Sequence, residues 1–190
     1  IARDTRFAYI GTDNLIGGKE LGRCAKGLRP EGGKYAAFVG IKTAANAQER
    51  TAGFTEGAGE KFERVDYLGD DMDENVAKKN AQDALNRHPD LTALVGIWAY
   101  NANAIAEAVK KQDVRDKVIV VNFDAAPLAL AHMGKGLVDA LVVQNPYDMG
   151  YRGTQLMKAL VEGDHEKVHE ILPDYEPDEH SFKKSDGDIL

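Results

Sequence analysis

Short β-branched runs alternate with amphipathic stretches along most of the chain, and this alternation predicts a strand–helix–strand architecture. Near-continuous apolar runs at 7–11, 34–40, 64–68, 93–98, 118–123 and 137–144 read as strands covered on both faces. Helices are expected between them at 15–28, 47–61, 74–87, 103–112, 127–133 and 148–161. The punctuation agrees. Arg29-Pro-Glu-Gly-Gly33 closes the first helix and His88-Pro-Asp90 the third, because proline cannot continue a helix. In that third helix Val76, Asn80, Ala84 and Leu85 share one side, largely opposite Lys78, Lys79 and Asp83. Such alternation implies right-handed βαβ units, hence an α/β fold with a doubly wound parallel sheet. A further strand is read at 167–172, followed by a polar, extended or poorly ordered tail at 173–190.

Two strands run into side chains suited to hydroxyl recognition. Lys117-Val-Ile-Val-Val-Asn-Phe-Asp124 stops at a carboxylate, and the run at 91–101 ends in Trp98, Tyr100 and Asn101. Ligands of open parallel sheets sit beyond the carboxyl ends of the strands, so both segments point to one rim. Asn46, Gln48, Asn101, Asp124 and Gln144 are planar polar groups at or just beyond strand ends. Each can make paired hydrogen bonds to adjacent hydroxyls. Trp98 and Tyr100 offer ring faces to the C–H surface of a sugar.

Composition narrows the classes. With 43% apolar and 29% charged residues the chain is ordinary for a globular protein. At 190 residues it suffices for one large domain or two small lobes. A net charge of −7 without a basic stripe argues against a phosphate-binding surface for nucleic acid. Cys24 stands alone, which excludes an internal disulfide and a CxxC site; it reads as a small core residue. No apolar run approaches the roughly 18 residues of a bilayer span. The opening Ile1-Ala-Arg-Asp-Thr-Arg lacks the basic start and apolar core of a secretory leader.

Catalytic motifs fail on context. His165-Glu-Lys-Val-His169 satisfies H-E-x-x-H, which on a helix sets two imidazoles one turn apart with the glutamate as base. Here Lys167-Val-His-Glu-Ile-Leu172 alternates like a strand, on which residues four apart are separated by about 13 Å. A third zinc ligand would have to come from His180, Glu176 or Glu179, so no metal is expected. Gly11-Thr-Asp-Asn-Leu-Ile-Gly-Gly-Lys-Glu20 is placed like a phosphate loop, but Asp13 and Glu20 stand where glycine and Ser/Thr are required. Gly17, Gly18 and Gly22 read as sites of close helix–strand packing. The only serines, Ser181 and Ser185, lie in the tail, which removes serine-triad chemistry. Asp70-Asp-Met-Asp-Glu74 reads as an acidic helix start that favours the macrodipole, with a ligand contact from within 69–73 as the other reading. No enzyme activity and no cofactor is expected.

The ordered set of segments Tyr9-Ile-Gly-Thr-Asp-Asn-Leu-Ile-Gly-Gly18, Ala45-Asn-Ala-Gln-Glu-Arg-Thr-Ala-Gly-Phe54, Asn101-Ala-Asn-Ala-Ile-Ala-Glu-Ala108, Val121-Asn-Phe-Asp-Ala-Ala-Pro127 and Val142-Val-Gln-Asn-Pro-Tyr-Asp-Met-Gly150 resembles the type I periplasmic sugar-binding proteins, the ribose-binding family, which shares its fold with the core of lactose-repressor-type regulators. The likeness runs from about Phe7 to Leu172. It implies two α/β lobes with a sugar held between them and crossings near 12–14, 144–146 and 166–172. One complete lobe would be 13–144, with 1–12 and 145–172 as remnants of the other and of the hinge, which would include Asp13, Asn14 and Asn145. The family carries a longer stretch ahead of this point, which would form most of the first lobe.

Carried over by position, Asn101, Asp124 and Gln144 match residues that hydrogen-bond the sugar. Gln48 stands where ribose binders place an arginine, and Met72 where they place a stacking phenylalanine. These departures favour another pentose, a hexose or a polyol over ribose. Asn46, Trp98 and Tyr100 complete the expected set. The resemblance implies a monomeric, periplasmic or lipid-anchored binding component that serves an ABC permease. The alternative is a sugar-responsive regulator core in the cytoplasm.

Overall fold

The computed structural model describes residues 7–173, together with the backbone at 175–176 and 181–182. The chain divides into two compact units, one of them Asn14–Val143 and the other the segments up to Asp13 and from Gln144.

The first unit is a five-stranded parallel sheet between two helical layers. In chain order it contains α1 (Asn14–Leu28), β1 (Gly33–Val39), α2 (Ala45–Ala58), β2 (Phe62–Gly69), α3 (Glu74–Arg87), β3 (Leu91–Gly96), α4 (Asn101–Gln112), β4 (Ile119–Phe123), α5 (Pro127–Met133) and β5 (Ala140–Val142). The strand order is β2-β1-β3-β4-β5, and every pairing is parallel. From β1 the chain first moves outward to β2 and then crosses back to β3. The order therefore reverses between β1 and β3, and a crevice opens there beyond the strand ends.

Alternation along the strands sorts the core into two faces. Tyr35, Ala37 and Val39 of β1 join Ala93 and Val95 of β3 and Val121 and Phe123 of β4 beneath α1 and α2. Ala36, Phe38, Leu94 and Val120 face the opposite way, toward α3, α4 and α5. The α/β reading of the sequence thus holds.

Close helix packing dominates the first layer. A Cβ added at Gly18 would lie 2.2 Å from the carbonyl oxygen of Arg50, and one at Gly53 would lie 2.1 Å from that of Leu15. Gly22 and Gly57 make equivalent approaches, to Phe54 and Lys19. Gly18 and Gly22 therefore serve helix–helix packing of α1 on α2 rather than the helix–strand contact expected from the sequence. Cys24 corrects a second expectation. It is exposed, because Gly18, Leu21, Gly22 and Ala25 form the buried side of α1.

In α3 the buried side is Ala77, Ala81, Ala84 and Leu85, with Val76 40% exposed. The packed face is rotated from the expected one and is built mainly on small alanines. Asn80 donates to the Gly69 carbonyl instead (3.0 Å). The strand expected at 137–144 shrinks to β5, since the Asp139 carboxylate accepts from the Val120 backbone (2.7 Å) and from Arg115.

In the second unit, α6 (Pro146–Glu162) and α7 (His165–Ile171) pack through Leu156, Ala159, Val168 and Ile171, with Ala8, Ile10 and Leu172 against them. Residues 7–11 form no strand. The strand read at 167–172 is also corrected, because that segment lies mostly in α7. Asp164 caps that helix by accepting from Lys167 N at 3.0 Å. Val168 and Ile171, three apart, supply its packed side, and helical spacing prevails over the alternation. In the tail, β6 (Tyr175–Glu176) pairs antiparallel with β7 (Ser181–Phe182); the rest of the expected tail lies outside the described residues.

The glycine contacts predict opposite responses to one added methyl. Gly53→Ala should destabilise the chain by about 1–3 kcal/mol through overpacking. Gly150→Ala, in α6 with open space around its Cβ, should stabilise it by about 0.5–1 kcal/mol. Urea unfolding of both variants checks this, and a Gly53→Ala chain as stable as wild type contradicts the packing account.

Candidate functional site

Parallel pairing places the segments after β1, β2, β3, β4 and β5 at one rim. Around the β1/β3 crevice this rim presents Asn46 and Gln48 at the start of α2, Trp98 and Tyr100 between β3 and α4, and Asp124 after β4. Met72 follows β2. Asn46, Trp98, Tyr100 and Asp124 are half-buried, whereas Gln48 is exposed and Met72 is 62% exposed. Asn101 is also at the rim but faces inward, with no exposed surface.

Gly40 makes room for the aromatic pair. A Cβ there would lie 2.1 Å from the Trp98 ring and 2.9 Å from the Tyr100 hydroxyl. The two rings meet edge to face, with centroids 6.5 Å apart, an arrangement favoured by ring quadrupoles.

Asp70 ties the rim together. Only 2% of its surface is exposed. Its Oδ1 accepts from the Tyr100 hydroxyl and from Met72 N (3.0 Å), and its Oδ2 accepts from Asn101 Nδ2 (3.1 Å). Asn101 Oδ1 in turn accepts from Trp98 N at 3.0 Å. Asn122 Nδ2 donates to the carbonyls of Trp98 (3.3 Å) and Phe123. Arg50, 4% exposed, donates to the Ile97 carbonyl at 3.1 Å and lies over the Phe123 ring at 4.4 Å. The ends of β2, β3 and β4 are thus joined by side chains.

Three rim residues hold left-handed backbone without being glycine: Asp71 (φ 51°), Met72 (φ 68°) and Asp124 (φ 68°). Asp71 N donates to the Gly40 carbonyl (3.0 Å), and Asp124 N to that of Val142 (2.8 Å). Aspartate tolerates this conformation; methionine is held in it at a cost of about 1 kcal/mol.

Burial raises the Asp70 pKa above the ordinary carboxylate range, against the opposing effect of the Tyr100, Met72 and Asn101 donors. Burial, then the hydrogen bond to Asp70, raises that of Tyr100, which keeps its phenol protonated.

The remaining sequence-derived residues flank the points along the chain where the two units divide. Gln144 belongs to the second unit, where the Thr12 hydroxyl donates to its Oε1 at 2.7 Å. Asp13 ends one segment of that unit, and Asn145 caps α6 by accepting from Asp148 N at 3.1 Å. Asn14 opens α1; its Oδ1 accepts from Arg50 Nε at 3.0 Å.

Arg50 was not singled out by the sequence reading, and Asp70 was read only within an acidic helix start, whereas it lies ahead of α3 and turns into the rim. Asp73, in the same acidic cluster, does cap α3, accepting from Asn75 N (2.7 Å) and Val76 N (3.3 Å). The signal for Asp70 was its position directly after a strand, like that of Asp124.

His165 and His169 share α7, one turn apart, so the helical context of H-E-x-x-H is present after all. Among the described residues no cluster of three or more His, Cys, Asp or Glu is arranged to hold a metal. His180 and Glu179 lie outside them, as does the Glu176 side chain. A groove of about 450 Å³ lies away from the rim, between α1 and α2. Ion pairs line it, Lys19–Glu56 at 2.7 Å and Arg23–Glu20. Among the described residues no helix is long and apolar enough to cross a membrane.

Comparison with known proteins bears on the family and the fold. The family model described as "Periplasmic binding protein domain" matches residues 1–165. The D-allose-binding periplasmic protein of Escherichia coli (strain K12) is 31% identical over 170 residues, covering 87% of this chain and 53% of that protein. A ribose import binding protein of Salmonella typhimurium is 29% identical over 169 residues, covering 87% and 55%. Among solved structures, a glucose-galactose binding protein from Geobacillus stearothermophilus superposes with a TM-score of 0.80 at 31% identity, covering 84% of this chain and 57% of that one. A solute-binding protein from Burkholderia graminis in complex with D-arabinose gives 0.80 at 25% identity, covering 85% and 57%. The chain spans about half the length of the curated relatives it matches.

Because the folded Asp70 carboxyl retains its proton to higher pH than the unfolded one, its contribution to stability is complete below the ordinary value of about 3.9 and is lost as pH rises through its raised value. Asp70→Asn removes that dependence. The stability advantage of wild type over the variant should therefore shrink between about pH 4 and pH 7. Urea unfolding at both pH values checks this; an advantage that grows with pH contradicts it.

Proposed function

Because the chain belongs to the periplasmic binding protein domain family, we propose that it binds a monosaccharide or related polyol without catalysis, as the substrate-binding component of an ABC sugar importer outside the cytoplasm. The observation that carries this reading is the collection of planar polar and aromatic side chains around the β1/β3 crevice.

Asp124, Asn46 and Gln48 supply acceptors and donors to ring hydroxyls. Trp98 and Tyr100 supply an apolar face, and Met72 a flexible apolar edge. Sugars present this same combination of vicinal hydroxyls and C–H faces. Asn101, fully buried, acts through the groups it holds. Gln144 keeps its assignment as a ligand contact, and Asp13, Asn14 and Asn145 theirs as hinge residues, as parts of this proposal. The reading also assigns the protein a membrane permease as partner and places it in the periplasm or its equivalent. The relatives named for allose and ribose, and the neighbour solved with D-arabinose, support the substrate class.

Trp98 is the single tryptophan and lies at the rim, which makes its fluorescence a local reporter. Titration with D-allose, D-ribose, D-arabinose, D-glucose and D-galactose should give a saturable change for at least one sugar. Asp124→Ala should weaken that binding by about tenfold or more, the effect of losing hydrogen bonds to a charged acceptor. Absence of any saturable fluorescence change or heat of binding with all five sugars contradicts the proposal.

A further inference from the structure

Asp70 is the buried acidic side chain at the rim, and nothing in the proposed set of ligand contacts uses it. With 2% of its surface exposed, it is shielded from direct contact with a ligand. Its partners are neutral donors: the Tyr100 hydroxyl, the Asn101 amide and Met72 N. Burying a carboxylate among neutral donors costs free energy. The arrangement acts on three parts of the rim together. It fixes Tyr100, it holds Met72 in left-handed backbone at φ 68°, and through Asn101 it holds the Trp98 backbone.

Resting on the sugar-binding reading above, we infer that Asp70 is a positioning residue that sets the Trp98–Tyr100 ring pair over Gly40 before a ligand arrives and turns the Tyr100 oxygen into an acceptor only. A phenol has one proton. That of Tyr100 is donated to Asp70, so only lone pairs remain for a ligand. The ligand must therefore bring an O–H or N–H to this point. A sugar hydroxyl does so; the corresponding O-methyl or fluoro group does not. The raised pKa of Tyr100 keeps the proton in place throughout the neutral range. Asp70 thereby sets a preference for donors without touching the ligand.

Acrylamide quenching of Trp98 tests the positioning role without any ligand. In the 190-residue chain, Asp70→Ala should raise the quenching constant by about twofold or more, as the ring pair gains rotamer freedom on the nanosecond scale. Tyr100→Phe should raise it as well, and the double variant should add little to either, because both remove one contact. Leu85→Ala, a core truncation on α3 that destabilises without touching the rim, controls for stability and should leave quenching at the wild-type value. Equal quenching in wild type and Asp70→Ala, each measured where it is fully folded, overturns the inference.

Addition of D-allose or D-ribose to the wild-type protein is a separate arm. Protection of Trp98 bears on the sugar-binding reading alone, so either claim can fail without the other. For a sugar that binds, wild type should discriminate by about tenfold or more against one of its mono-O-methyl derivatives. Asp70→Ala, which frees the Tyr100 proton, should narrow that ratio. An unchanged ratio removes the acceptor-only assignment.

Discussion

Parallel pairing is the constraint from which the rest of this structure follows. It forces all five strands to end at one edge, so whatever the sequence places after each strand is collected there. The strand order adds a second consequence. Because α2 and α4 leave β1 and β3 toward opposite faces of the sheet, the loops above those two neighbouring strands diverge and open a crevice. The side chains assigned to ligand recognition, from Asn46 and Gln48 to Trp98, Tyr100 and Asp124, come from the segments that flank this opening. Location and chemistry therefore have one origin.

A crevice lined by loops is useful only if its side chains are held before a ligand arrives, since ordering them on binding consumes affinity. In this rim Asp70, Asn101 and Asn122 make side-chain bonds that join strand ends far apart in sequence. Arg50 braces the same region from α2 through the Ile97 carbonyl and the Phe123 ring. Burial raises the Asp70 pKa against the opposing effect of its three donors, so the arrangement carries a desolvation cost. Such a cost, together with left-handed backbone at Asp71, Met72 and Asp124, is concentrated at the rim.

Most of the architecture was legible because strand and helix periods differ clearly over long segments. The expected helices at 74–87 and 127–133 coincide with α3 and α5. Short segments were ambiguous for a physical reason. Around α7, the run Lys167-Val-His-Glu-Ile-Leu172 reads like a strand, while Val168 and Ile171 fit a helix turn, and so short a segment does not separate the two periods. The packing partner of the glycines was hidden for another reason. Gly18 and Gly22 on α1 and Gly53 and Gly57 on α2 share a four-residue spacing, the available sign of two helices in close contact, yet each helix read alone shows only small residues. The rim residues were visible as strand-end polar groups. Asp70 was not, because Asp73 in the same cluster offered a sufficient local explanation as the cap of α3. Its partners Tyr100 and Asn101 stand 30 and 31 residues away, and no pattern within the cluster records them.

The central claim, that ligand recognition occurs at the rim of the β1/β3 crevice, is tested most directly by mapping backbone amide shifts of the ¹⁵N-labelled chain during titration with D-allose and D-ribose. The account predicts shifts concentrated at 40–48, 70–72, 97–101 and 124, with the α1–α2 groove around Lys19, Arg23 and Glu56 unaffected. Shifts centred on that groove, or none anywhere with either sugar, would contradict it.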